Sequence, residues 1–350
     1  NSPIQMSEIL FTKLKLPTND IKKTKSGFST AAGELAKIED KHSIIKFILE
    51  YRELSKLLST YLKPLPQMVD VNGRLHTTYG QDTTTGRMTS QEPNLQNIPV
   101  KGEYGTEIRK AFIAAPKMKL IAADYSQIEL RIVACLAEDE IMMNAFKNGV
   151  DIHSRTAAEI FNCDIKKVTK EQRRKAKTIN FGILYGMSSY GLSLSLGISQ
   201  EEARKYIKKY FAVHSGIKNY CEEIVSFAEK YGYVETLFGF KRFLPNINSS
   251  ARNVREAEAR MAINTPIQGT AAEVLKLAMI ELSHKIEKIK LDRSKMLLNI
   301  HDEIVLEVPE KNVTKMAKLV KQTMEEVIKL CVPLEVDVEI GNSLGEMYKV

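Results

Sequence analysis

Two apolar stretches that close on acidic residues limit the folds open to this chain. The first, "KLIAADYSQIELRIVACLA", runs apolar up to Asp124 and then takes on a helical period, so a carboxylate stands where a buried strand gives way to a helix. The second, "KMLLNIHDEIVLEVP", sets two apolar strands around His301, Asp302 and Glu303, the pattern of a β-hairpin with its acidic centre at the turn. An Asp at a turn also has a plain role, bonding its own backbone. Between the two stretches almost everything reads as helix. The order α, β, α, β describes an α+β chain in which a long helical insertion separates two strand groups, each carrying an Asp.

The flanking segments fill in the organisation. Residues 43–63, "SIIKFILEYRELSKLLSTYLK", repeat apolar positions at three and four and predict one long amphipathic helix. Before it, "IKKTKSGFST" places Lys22, Lys23 and Lys25 beside Ser26 and Gly27, a composition suited to a loop that touches phosphates without reading bases, or to a solvated charge run. After Pro64 and Pro66 come short alternating pieces and turns. "DEIMMNAFKNG", "DIHSRTAAEIF", "SQEEARKYIKKYF" and "IKNYCEEIVSFAEKYG" read as helices, "YVETLFG" with "KRFLP" as a hairpin, 252–287 as a long helix, and 311–331 as a helix leading into the strand "PLEVDVEI".

Composition narrows the function classes. Lys and Arg number 51 against 43 Asp and Glu, a net charge of +8 that favours polyanionic partners, nucleic acid first. Cys135, Cys163, Cys221 and Cys331 are far apart with no CxxC pair, so neither a zinc site nor a disulfide framework is expected, and a reducing, cytosolic setting fits. No apolar run approaches a membrane span and no signal-peptide core opens the chain; the start at Asn1 suggests a piece of a longer protein.

Chemistry concentrates in two places. Asp124 and Asp302, each at the end of an apolar strand, could meet at one sheet edge and hold a pair of divalent cations for in-line displacement at phosphorus, the chemistry of nucleases and polymerases alike. In "RRKAKTINFGILYG", Arg173, Lys177, Phe181 and Tyr185 recur every four residues and share one helix stripe. Two cations followed by two rings suit a nucleoside triphosphate: charge for phosphates, faces for base or sugar. Gly182 and Gly186, each costing a helix about 1 kcal/mol, suggest a close approach or a hinge.

In order and separation, "DYSQIELR", "RRKAKTINFGILYG" and "HDE" resemble motifs A, B and C of the family A DNA polymerases. The resemblance extends through "TTTGRMTSQEPNLQNIP", "GYVETLFGFKRFLP" and "INTPIQGTAAEVLKLAMI", nearly the whole chain. It implies a right-hand polymerase fold with an antiparallel-sheet palm, helical fingers and helical thumb: thumb over 1–66, palm over 67–136 and 251–350, fingers over 137–250. It implies a template-directed enzyme adding dNTPs to the primer of a primer-template DNA. Two Mg²⁺ ions, with Mn²⁺ able to substitute, are held by Asp124, Asp302 and the backbone carbonyl of Tyr125, with Glu303 auxiliary. Arg173, Lys177, His153 and Gln127 are implied at the triphosphate, Lys177 also among the catalytic residues. Phe181 is implied by the sugar, Tyr185 by the templating base, and Glu129 as the gate against a 2′-hydroxyl. Arg87, Arg260, Asn264, Gln268 and His301 are implied near the primer terminus. A monomer acting in the cytoplasm, at the nucleoid or replication site of a bacterium, phage or organelle, completes the expectation. The alternatives are a single-subunit RNA polymerase, against which Glu129 and Phe181 argue, and a metal-dependent nuclease, which has no use for the triphosphate stripe. The resemblance lacks the family's first thumb helix and any exonuclease domain, so no proofreading is expected from this stretch, and the ending "SLGEMYKV" departs from the family pattern.

Overall fold

The computed structural model describes residues 2–25, 27–100, 102–289 and 293–350. Asn1 and Ser26, named above, lie outside the described residues. The chain divides into two compact units, one reaching to Thr77 and one spanning Thr78–Val350.

In the first unit Leu10, Leu16, Ile21, Leu35, Ile38 and Ile45 form the core. The expected amphipathic helix is Ser43–Leu57, opened by His42, whose ring nitrogen accepts the Ile44 N–H at 3.1 Å. It loosens into wider turns over Leu58–Leu62, so the period holds but the pitch does not. The Lys-rich loop is a two-stranded ribbon, Lys23–Thr24 against Gly27–Phe28, with the Lys23 ammonium 5.7 Å from the Phe28 ring centre.

The second unit is built around a five-stranded antiparallel sheet. Met118–Tyr125 is its central strand, flanked by Val336–Gly341 and Glu303–Pro309, with Met347–Lys349 and Lys295–Ile300 at the two edges. A strand with neighbours on both sides and helices over it must be apolar throughout, which is why "LIAA" runs unbroken. Ile121, Ala123, Ile304, Leu306, Val338 and Ile340 enter one core with Val274 and Ala278 of the Arg252–Lys288 helix and Met316 and Val320 of the Val313–Glu326 helix. Truncating a fully buried Ile121 to Ala should cost about 2–5 kcal/mol. Register places Asp124 directly opposite Glu303 on one side and opposite Asp337 on the other.

The expected helices between the strand groups are present, among them Ile152–Phe161, Lys170–Leu184 and Ser215–Tyr231. The hairpin is Tyr233–Glu235 with Lys241–Phe243. The long helix carries Pro266 inside it; the Tyr220 hydroxyl donates to the Ile263 carbonyl at 3.2 Å and the Thr265 hydroxyl to that of Met261 at 2.7 Å, serving carbonyls around the break.

Two expectations need correction. The helix expected over 311–331 is Val313–Glu326, because the chain must turn back to the sheet; the Glu325 carboxylate accepts the Val336 N–H at 3.1 Å. Cys135 and Cys331 form a disulfide, with Cα atoms 5.7 Å apart across a sequence separation of 196, whereas no disulfide was expected. The pairing is invisible in the sequence because it depends on the helix after Asp124 lying beside the segment that leads into the Val336–Gly341 strand. Cys163 and Cys221 are free thiols.

Candidate active site

The site begins where the central strand ends. Gln127 adopts a left-handed conformation, φ 56°, and heads the Ile128–Leu136 helix. The turn is held from beneath: the Ser126 N–H donates to the Glu335 carbonyl at 2.8 Å. Arg131, buried, donates to the carbonyls of Ser126 and Pro333 and to the Glu335 carboxylate at 2.9, 2.6 and 2.6 Å. Across the sheet, Ile300 pairs with Glu303, leaving His301, at φ 55°, and Asp302 as the two-residue turn. The Tyr125 N–H donates to the Asp302 carbonyl at 3.3 Å, fastening that turn to the end of the central strand. Asp124 and Asp302 therefore open into one cavity of about 360 Å³, which Tyr125 also lines.

The carboxylates there crowd one another. Burial around it, then repulsion from Glu303, Asp302 and Asp337, pushes the Asp124 carboxyl up to about 7. Asp302 and Glu303 are also raised, each first by burial. The Oε1 atom of Glu303 is buried with no hydrogen-bond partner among the described residues. Such a set is deficient in positive charge. Among the described residues no group of three or more His, Cys, Asp or Glu side chains is gathered to hold a metal unaided.

The opposite wall is the expected stripe. Thr169 and Gln172 form a capping box that starts the Lys170–Leu184 helix, their bonds measuring 3.1 and 2.9 Å. Arg173, Lys177, Phe181 and Tyr185 all line the cavity, with the last two rings 6.1 Å apart. Tyr185 sits just past the helix end and Gly186 follows at φ +67°. A Cβ at Gly186 would stand 2.6 Å from Cγ of Arg260, so the close approach suspected from the sequence is that of the long helix.

Glu129 is buried at 5% exposure and clamped by two donors, the Tyr185 hydroxyl and Arg87 Nη2, the latter at 2.6 Å. Burial still raises its carboxyl above the ordinary range, and burial likewise lifts the Tyr185 hydroxyl far above its own. His153 is buried, and loss of water with the nearby Arg173 and Lys177 charges lowers it to about 4, so it is neutral at pH 7. The Asn180 amide donates to His153 Nδ1 at 3.0 Å while its carbonyl accepts from Thr156 at 3.1 Å, which leaves the imidazole proton on Nε2 as a donor.

The cavity also receives Gln127, whose Oε1 is buried without a partner among the described residues. Arg260, Asn264 and Gln268 do not line it; they lie at i, i+4 and i+8 along the Arg252–Lys288 helix, with Asn264 Oδ1 buried and without a partner among the described residues. His301 borders a separate small cavity of about 20 Å³ that it shares with Arg87 and Lys276. Two acids escaped sequence reasoning, one lining the cavity and one bonded to a residue that lines it. Asp337 lines it from the strand beside Asp124, and the only signal was an acid inside the alternating run "PLEVDVEI". Asp151 forms two hydrogen bonds with Arg173, and its signal was an N-cap residue ahead of "IHSRTAAEIF".

Comparison with known proteins bears on this geometry. The family model described as DNA polymerase family A matches residues 1–346. DNA polymerase I of Caldicellulosiruptor bescii is 50% identical over 345 residues, 97% of this chain and 40% of that protein. DNA polymerase I of Geobacillus stearothermophilus is 47% identical over 344 residues, 97% of this chain and 39% of that protein. The chain thus spans about 40% of the length of such curated relatives. A solved structure, the POL domain of Pol1 from M. smegmatis in complex with DNA primer-template and dNTP, superposes with a TM-score of 0.94 at 42% identity, covering 99% of this chain and 61% of that one.

Proposed function

The chain belongs to DNA polymerase family A, and from that premise we propose that it extends the 3′-hydroxyl of a primer on a DNA template, using dNTPs and releasing pyrophosphate. The observation that carries the reading is that two acids far apart in the sequence and a stripe of two cations and two rings open into the same cavity.

The residues divide the work by chemistry. Arg173 and Lys177 balance the triphosphate and the charge that gathers on the departing pyrophosphate, and neutral His153 donates a hydrogen bond from Nε2. The phosphates thereby point toward Asp124 and Asp302. The Phe181 ring lies under the sugar, and Tyr185 lies beside the templating base. Glu129, held by Tyr185 and Arg87, walls off the position of a 2′-hydroxyl and selects deoxyribonucleotides. Gln127 adds a polar contact at the substrate. Arg87, Arg260, Asn264, Gln268 and His301 follow the minor groove near the primer end, where the acceptor pattern is nearly independent of sequence.

The crowded carboxylates and the orphaned Glu303 oxygen fit a divalent pair, with Asp124, Asp302 and the Tyr125 carbonyl as protein ligands, Glu303 alongside, and phosphate and water supplying the rest. Bound there, Mg²⁺ or Mn²⁺ lowers the pKa of the attacking hydroxyl and offsets charge on the leaving phosphate. In this reading the residues up to 66 are the thumb, 67–136 and 251–350 the palm, and 137–250 the fingers of a monomer that works on DNA in the cytoplasm.

Primer extension with Mg²⁺ and labelled dNTPs tests the proposal. Growth of the primer by the parent chain, with loss of growth but retained primer-template binding in Asp302→Ala, is the expected result. Primer shortening would point to a nuclease, and neither growth nor shortening would remove the catalytic reading.

A further inference from the structure

We infer that Asp151 is a positioning residue for substrate phosphate: it holds the guanidinium of Arg173 by one edge so that the other edge faces the cavity. The inference rests on the triphosphate reading above and deepens it. Asp151 Oδ2 accepts from Arg173 Nε at 2.7 Å and Oδ1 from Nη2 at 2.9 Å, two parallel bonds along the side of the guanidinium. Nη1 and the second Nη2 hydrogen lie along the far edge; among the described residues no acceptor takes Nη1, and Arg173 lines the cavity. Arg173 thus has a second fork left for phosphate.

Asp151 is itself fixed. It caps the Ile152–Phe161 helix, with Oδ2 also accepting from the Ser154 N–H at 2.9 Å and the Ser154 hydroxyl at 2.5 Å. The Arg173 bonds, with those to Ser154, overcome partial burial and lower its carboxyl to about 2, so it is charged at any working pH. Two residues on, His153 is bonded to Asn180, which lies on the same helix as Arg173. Two polar bridges therefore align two phosphate donors from different helices. Without Asp151, Arg173, whose side chain is 45% exposed, would rotate freely and have to be immobilised each time substrate binds.

Asp151→Ser and Asp151→Asn separate this role from helix capping, because both replacements cap helices well. Expected are a melting temperature only modestly lowered, because the lost ion pair is part exposed, a KM for dNTP raised about tenfold, and a kcat within about twofold of the parent, the factor for ordering one long side chain on binding. In an Arg173→Ala background the Asp151 substitution should add nothing further. Calorimetric binding of inorganic tripolyphosphate reads the same contact without extension and should weaken in Asp151→Ser and weaken further in Arg173→Ala, which removes the phosphate fork itself. Undiminished tripolyphosphate binding in Asp151→Ser would overturn the inference, and tighter binding would show that Asp151 competes with phosphate. A parent that binds tripolyphosphate in this Asp151-dependent way but never extends a primer would sink the polymerase reading while leaving the inference standing.

Discussion

Raising the pH without divalent cations should weaken the fold through one side chain, and removing that side chain's charge should strengthen it. The Asp124 carboxyl, ordinarily near 3.8, is pushed up to about 7. Between those values the folded protein keeps a proton that the unfolded chain has released. Stability therefore falls as pH rises through the window and levels off above its upper end. Three units of difference set a ceiling of about 4 kcal/mol. The Asp124 side chain still reaches water in the cavity, which weakens both the burial penalty and the repulsion, so roughly 1–2 kcal/mol is the better expectation.

Asp124→Asn has no proton to lose. Compared with the parent it should gain about that amount between pH 5 and pH 8, even as it loses extension. Urea unfolding followed by circular dichroism, in chelator and then in Mg²⁺, measures the gap directly. Mg²⁺ should restore the parent at the higher pH and do little for the variant, because only the folded parent binds it well. A gap that stays constant across the pH range, or an equal response of both proteins to Mg²⁺, would refute the crowding argument.

Three further outcomes follow from single contacts. Cys331→Ser should lower stability by about 3–5 kcal/mol under non-reducing conditions, since the disulfide closes a span of 196 residues; thiol titration of the unfolded parent should find two free groups, and finding four would refute it. Tyr185→Phe removes a donor from buried Glu129 and should cost about 1.5–3 kcal/mol while loosening sugar selectivity, read as a smaller preference for dNTP over NTP in extension. Gly186→Ala places a Cβ 2.6 Å from Arg260 at φ +67° and should cost at least about 1 kcal/mol, with weakened primer-template binding measured by anisotropy; full retention of both would mean the long helix yields easily.

The parts of the site that were legible in the sequence are those set by local periodicity. Arg173, Lys177, Phe181 and Tyr185 share a wall because four-residue spacing on a helix admits little else, and Asp302 sits at a turn because apolar alternation breaks only there. The resemblance to a family supplied what periodicity could not, the roles proposed for Glu129 and His153. Asp337, the Asp151–Arg173 pair and the Cys135–Cys331 bond were unreadable for one reason: each depends on which segments become neighbours, through sheet order or helix packing. Helix ends failed similarly, since Glu326 ends its helix because of where the next strand must go.

What positions the two acids is a set of backbone conformations and buried polar contacts around the ends of their strands. Gln127 and His301 both hold left-handed backbone conformations, each costing about 1–3 kcal/mol, and they flank Asp124 and Asp302 on opposite strands. Such conformations persist only where the surroundings leave no alternative. On one side Arg131 and the Glu335 carbonyl grip the turn at Ser126. On the other Asn299, 2% exposed, donates to the carbonyls of His301 and Glu303 at 3.4 Å each. Asn299 is itself held by the Tyr79 hydroxyl at 2.9 Å and by Gln96. The acids are therefore aimed by buried polar contacts reaching from the Thr78–Gly80 strand to the segment before Val336, and those contacts offset both the strained backbone and the repulsion between the two carboxylates.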